Sequence, residues 1–153
     1  MQDDFTDPVL AAIGGERPSG FQRNMGYRLT EWREGSAVLT MEVASRHLNR
    51  AEVVHGGVLV SLIDTACGFA GTYAAVPGTQ PKVSTLTLTT SFVAPAKDGP
   101  LRVVGTVRGG GKSIFFAQAE VFDPKGTLLA FGEGSFRYHR SAPLASVRNT
   151  TGA

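Results

Sequence analysis

The stretch GVLVSLIDTACGFAGTYAA, residues 57–75, decides how the rest of the chain is read. Twelve of its nineteen residues are apolar and Asp64 is its one charge. At 1.5 Å per residue it predicts a helix of roughly 28 Å. A helix that is apolar nearly all round is buried on most sides. A membrane span does not fit, because Asp64 would sit near mid-bilayer and no uninterrupted apolar run reaches ~18 residues.

Strand patterns lie on both sides of this helix. Before it, residues 25–32 and 36–43 read as two strands joined by a tight turn at Glu34-Gly35. In the second, Ala37, Leu39, Met41 and Val43 alternate with Val38, Thr40 and Glu42, a half-buried pattern. After it come four more candidates, near 83–94, 101–108, 113–122 and 127–138. Strict alternation in the first predicts Leu86, Leu88 and Phe92 on one face and Thr85, Thr87, Thr89 and Ser91 on the other. The breaks at 98–100, 109–111 and 123–126 are short, so neighbouring strands are expected to pair as antiparallel hairpins. Residues 5–13 predict a short helix ending at Gly14-Gly15. The expected organisation is an N-terminal segment over 1–20, one domain over 21–139 and a loose tail over 140–153. The class is α+β. A sheet apolar on one face needs a cover, and wrapping five or six antiparallel strands around the long helix is the hotdog fold. Pattern alone leaves it one of several α+β arrangements.

Composition narrows the function classes. The chain has 153 residues, 42% hydrophobic and 18% charged, which fits one folded domain and excludes wholesale disorder. Cys67 is the single cysteine, so no intrachain disulfide can form. The start Met-Gln-Asp-Asp-Phe-Thr-Asp-Pro lacks the basic and apolar parts of a secretory signal, so a reducing cytoplasm is the expected compartment. The bases are spread along the chain, unlike the concentrated stripe of a nucleic-acid binder. Eleven of the fifteen are Arg, whose planar fork suits phosphate groups on a small polyanion. Two motifs mislead. Gly109-Gly110-Gly111-Lys112-Ser113 imitates the end of a P-loop, but Thr106 stands where that loop needs glycine, and the stretch joins two strands. The spacing of His47 and His55 matches no known metal motif.

The chemistry concentrates where the helix begins. Asn49 and His55 flank Gly56 and Gly57, whose N–H groups lie at the positive end of the helix dipole. Such donors suit a polarised carbonyl or a developing oxyanion. Asp64, two turns on, projects from roughly the same face. Its residue type leaves two readings open: a carboxylate that caps neighbouring backbone, or one that faces a wet site. Gly68 and Gly71 follow one and two turns beyond Asp64, and Cys67 lies beside Gly68. Small residues there either make room for an acyl group or allow close helix–sheet packing.

Asn49, then His55-Gly56-Gly57 six residues on, then Asp64 nine residues after the histidine, resembles the signature of hotdog acyl-CoA thioesterases of the phenylacetate-pathway (PaaI-like) type. The strand from Thr85 through Phe92 to Pro95-Ala96, and the closing strand from Gly126 to Phe136, are similar to the same family. The resemblance covers residues 20 to 139. It implies hydrolysis of acyl-CoA to free acid and CoA, without a cofactor or a metal. Asp64 would be the nucleophile or the base that activates water. Gly56 or Gly57, with Asn49, would polarise the carbonyl, and His55 would orient the start of the helix. Thr85 would position the water, with Ser84 as the alternative one residue away. Cys67 and Gly68 would border the acyl group. Around the triple-glycine turn, Arg108, Lys112 and Ser113 offer cations and backbone N–H groups for the CoA phosphates. The family also implies a homodimer or a homotetramer (a dimer of dimers), with no nucleic acid or membrane as partner. A non-catalytic module that binds acyl-CoA or acyl-carrier protein is the competing reading.

Overall fold

The structure, a computed structural model, describes residues 5–139. A π-helical turn, Leu10–Gly14, and helix α1, Gly20–Met25, precede strands β1, Tyr27–Arg33, and β2, Ser36–Met41. Helix α2 spans Gly56–Ala70. Strands β3, Val83–Phe92, β4, Leu101–Gly110, β5, Ile114–Phe122, and β6, Leu128–Tyr138, complete one six-stranded sheet in the order β1-β2-β4-β5-β6-β3. All neighbours are antiparallel. Helix α2 touches all six strands, so the sheet wraps around it, which is the hotdog fold. Leu62, Ile63, Ala66 and Cys67 of α2 are fully enclosed, together with Leu39, Val103, Val121 and Ala130 from four strands. No helix among the described residues is long and apolar enough to cross a membrane.

Four expectations change. Helix α2 stops at Ala70 rather than running to residue 75. The Phe115 ring occupies the space where a side chain on Gly71 would stand, so the sheet closes over the helix there. The expected helix at 5–13 is present but starts later, over 8–14, and its last five residues, Leu10–Gly14, wind as a π-helical turn closed by Gly15 at φ +63°. Helix α1 goes unpredicted, although Ser19 caps it by accepting from Gln22 N and Gly26 ends it. The break at 98–100 does not join a hairpin. Strand β3 pairs with β6, and β4 pairs with β2. Helix α2 carries the chain across the sheet to its far edge, and residues 93–100 bring it back. That return is pinned by Val93 N and Ala94 N donating to Leu129 O, and by Val54 N donating to Ala96 O. The tail expected over 140–153 lies outside the described residues.

The alternation in β3 is also broken. A bulge between Thr85 and Thr87 pairs those two residues with adjacent Phe136 and Ser135, leaving Leu86 as the extra residue. An extra residue reverses which face the following side chains take. Thr85 therefore faces α2, and Leu88 still packs on the core. Thr87 lies on the outer face, 2.7 Å from Ser135.

Buried His47 ties the segment before α2 to the domain. Its Nδ1 accepts from Ala44 N (2.9 Å) and its Nε2 donates to Met25 O (2.8 Å). Its own carbonyl receives His55 N. Burial holds the imidazole below its ordinary value of 6.5, the Met25 carbonyl and nearby Arg46 adding smaller effects of opposite sign. The folded state thus favours the neutral ring, while the unfolded chain takes up a proton as pH falls through that ordinary value. The resulting stability is fully present above it and is lost as pH falls through and below it. Urea midpoints should drop between about pH 7.5 and 5.5. In His47→Gln, which keeps a donor but cannot titrate, the drop should be shallower; an equal drop in both proteins would contradict this assignment.

Candidate active site

The start of α2 is built by His55. As the residue preceding the helix, it folds its ring back so that Nδ1 accepts from Gly57 N at 2.9 Å. A β-carbon on Gly57 would stand 3.0 Å from that nitrogen, so glycine keeps the ring free to cap. This use of Nδ1 leaves the proton of the neutral ring on Nε2. It also separates the two glycines. The Gly57 N–H is occupied, whereas the Gly56 N–H has no partner among the described residues.

Asn49 organises the loop before the helix. Its Oδ1 accepts from Ala51 N (2.8 Å), and its backbone N–H donates to Val53 O. With the carbonyl end committed to backbone, the amide Nδ2 is the end left to donate to a ligand.

Asp64 is half-buried on the helix face toward β3. Its Oδ1 accepts the Thr85 hydroxyl at 2.6 Å. The second carboxylate oxygen and the lone pairs of Thr85 remain as a place to hold water. Ser84 points the other way, with Oγ 2.6 Å from His139 Nε2, so Thr85 and not Ser84 meets the acid. Tyr27, which the sequence did not single out, is buried nearby. Its hydroxyl is pushed above its ordinary value chiefly by burial, with the Thr65 side chain opposing and the charges of Asp7 and Asp64 adding to the rise. A lone tyrosine at a strand start carries no sequence signal for this position.

The small residues beyond Asp64 divide by role. Cys67 is fully buried in the core, its thiol pushed up to about 12 by burial and then by the Asp64 charge, which leaves it no thiolate for chemistry. Its expected place was beside the acyl group, and it is not among the residues that line the cavity at Gly68. Gly71 serves packing. Gly68 does face a cavity of about 410 Å³, bordered by Thr65, Phe69 and Val83. The expected phosphate residues divide as well. Lys112 and Ser113 share a cavity of about 620 Å³ with Arg137 and His139. Arg108 lies apart, beside Phe116 and Glu133 on the outer sheet face. No cluster of three or more His, Cys, Asp or Glu side chains suited to a metal occurs among the described residues.

Within one chain, Gly56 and Asp64 lie eight residues apart along α2, about 12 Å. One carbonyl cannot touch both.

The model of the thioesterase superfamily matches residues 51–130, just over half of the chain. A Thermoplasma volcanium protein whose name provisionally assigns it to the esterases is 28% identical over 123 residues, covering 80% of this chain and 90% of its own length. Among solved structures, the PaaI protein of the E. coli phenylacetic acid degradation operon superposes with a TM-score of 0.73 at 26% identity, over 81% of this chain and 87% of that one. A conserved Pseudomonas aeruginosa protein, PA5202, gives 0.73 at 27% identity, over 80% and 95%. With the sheet-wrapped helix, these matches establish that this chain belongs to the thioesterase superfamily and carries the fold of a thioester hydrolase.

Proposed function

We propose that this protein hydrolyses acyl-CoA thioesters, with Asp64 as the general base. The observation that carries the reading is the Thr85 hydroxyl donating to Asp64 Oδ1 at 2.6 Å, which fixes the carboxylate and leaves its other oxygen toward a water. That water attacks the thioester carbon and gives its proton to Asp64. The oxyanion is held by the Gly56 N–H and Asn49 Nδ2. Collapse breaks the C–S bond, and the proton on Asp64 leaves with the CoA sulfur. Because about 12 Å separates Gly56 from Asp64 in one chain, the oxyanion donors come from a second subunit. The outer edge of β3, which among the described residues pairs only with β6 and exposes Leu86 and Phe92, offers the surface for that two-fold contact.

Incubating the protein with a panel of acyl-CoAs and a thiol reagent tests the reading. Thiol release that depends on Asp64 supports it; tight acyl-CoA binding without release would instead identify a binding module. For the nucleotide end, the cations at the β4–β5 turn should hold phosphates. Lys112→Glu is expected to raise KM for acyl-CoA, with most of the loss in KM rather than kcat. A short thioester without CoA should lose much less. Equal loss with both substrates would mean that the change damages the fold.

A further inference from the structure

We propose that residues 10–16, tied down by the buried Asp7, form the far wall of the acyl site and set the acyl length that the enzyme accepts. This deepens the hydrolase reading and rests on it.

Three observations converge. Asp7 is 2% exposed, and a carboxylate so placed is costly unless donors meet it. Its Oδ1 accepts from Leu10 N at 3.0 Å, and its Oδ2 accepts from Gln22 Nε2 at 2.6 Å and from Leu29 N at 2.8 Å. One side chain thereby fixes the start of the N-terminal segment to α1 and β1. The far end is held separately, by Gln80 Nε2 donating to Ile13 O at 2.6 Å. Leu10, between these two anchors, and Gly14, just past the second, border the 410 Å³ cavity.

Other residues that line that cavity adjoin the proposed catalytic groups. Thr65 follows Asp64 directly, Gly68 is one helical turn beyond it, and Val83 precedes Thr85 on the same strand face. A thioester whose carbonyl sits at Asp64 can therefore pass its acyl group over Gly68, where no side chain obstructs it, toward Leu10. The lining includes Trp32 and Phe69 beside Leu10, together with Glu16, Gln80 and Lys82, so the ligand expected is an acyl group whose apolar chain ends against Leu10. Tyr27 links the two regions: its carbonyl accepts from Gln22 Nε2, and its buried hydroxyl feels both Asp7 and Asp64. Asp7 touches no reacting atom in this arrangement and is a positioning residue.

The test is a specificity ratio, which a residue needed only for stability would not move. kcat/KM is measured for butanoyl- through decanoyl-CoA with wild type, Asp7→Asn, Leu10→Ala and Leu10→Phe. Asn at position 7 sets an amide N–H against donors and should free the wall. Each further methylene buried is worth about fourfold in affinity. The decanoyl-to-butanoyl ratio should rise at least about tenfold in Asp7→Asn and Leu10→Ala, and fall in Leu10→Phe. Ratios within about twofold of wild type in folded Asp7→Asn and in both Leu10 variants would overturn the proposal. Should Asp7→Asn fail to fold by circular dichroism, the Leu10 pair decides, since both variants keep the Leu10 backbone N–H that Asp7 accepts. Wild type that releases no thiol from any acyl-CoA would sink the hydrolase reading instead. The length ratio is then read from dissociation constants of the same panel, and the same thresholds apply.

Discussion

Asp64→Asn is expected to lower the turnover number for acyl-CoA by at least about 100-fold, the low end of a general-base contribution, while leaving fold and substrate affinity nearly intact. The asymmetry comes from geometry. Asparagine keeps an oxygen where Oδ1 accepts the Thr85 hydroxyl at 2.6 Å, so the link between α2 and β3 survives. What it loses is the second oxygen as a proton acceptor. A carboxylate that served only to cap or pack would give the opposite pattern, with a lowered melting temperature and most of the turnover kept. Steady-state kinetics and thermal unfolding on the same preparation separate the two, and retained turnover would refute the base role.

Complementation between two inactive variants has the second largest expected effect, from almost no activity to a measurable fraction. Asp64→Ala and Asn49→Ala should each be nearly inactive alone. After co-refolding, a mixed dimer has one site with both defects and one with neither. Random pairing makes half the dimers mixed, so activity should recover to roughly one quarter of wild type. The expectation rests on the helix geometry, since Gly56 and Asp64 lie about 12 Å apart in a single chain. Asn49 Nδ2 is free to donate across a subunit boundary because Oδ1 is committed to Ala51 N. A verified mixed dimer without recovered activity would mean that one chain holds the whole site.

The sequence by itself determined the buried helix, the six strands and the signature from Asn49 to Asp64. These are local patterns: a period of 3.6 or 2, or residues at fixed spacing, each readable within a short window. It also pointed to Thr85 through family resemblance, even though simple alternation grouped that residue with Thr87 and Thr89. Tertiary structure decided what depends on partners distant in the chain. Which strand lies beside β3 follows from the path of α2 across the sheet, not from the short break at 98–100. The bulge that turns Thr85 toward Asp64 exists only in the pairing of β3 with β6. Helix α2 ends where the ring of Phe115, forty-four residues later, closes over Gly71. Gly56 and Gly57 look alike in sequence, and only the folded-back ring of His55 shows that one N–H is taken. Asp7 reads as one acid in an acidic N-terminus, yet it is buried because Gln22 and Leu29 bring donors to it across more than a dozen residues. A donor supplied from that distance leaves no periodicity to read, so the anchor of the N-terminal segment was settled by the fold alone.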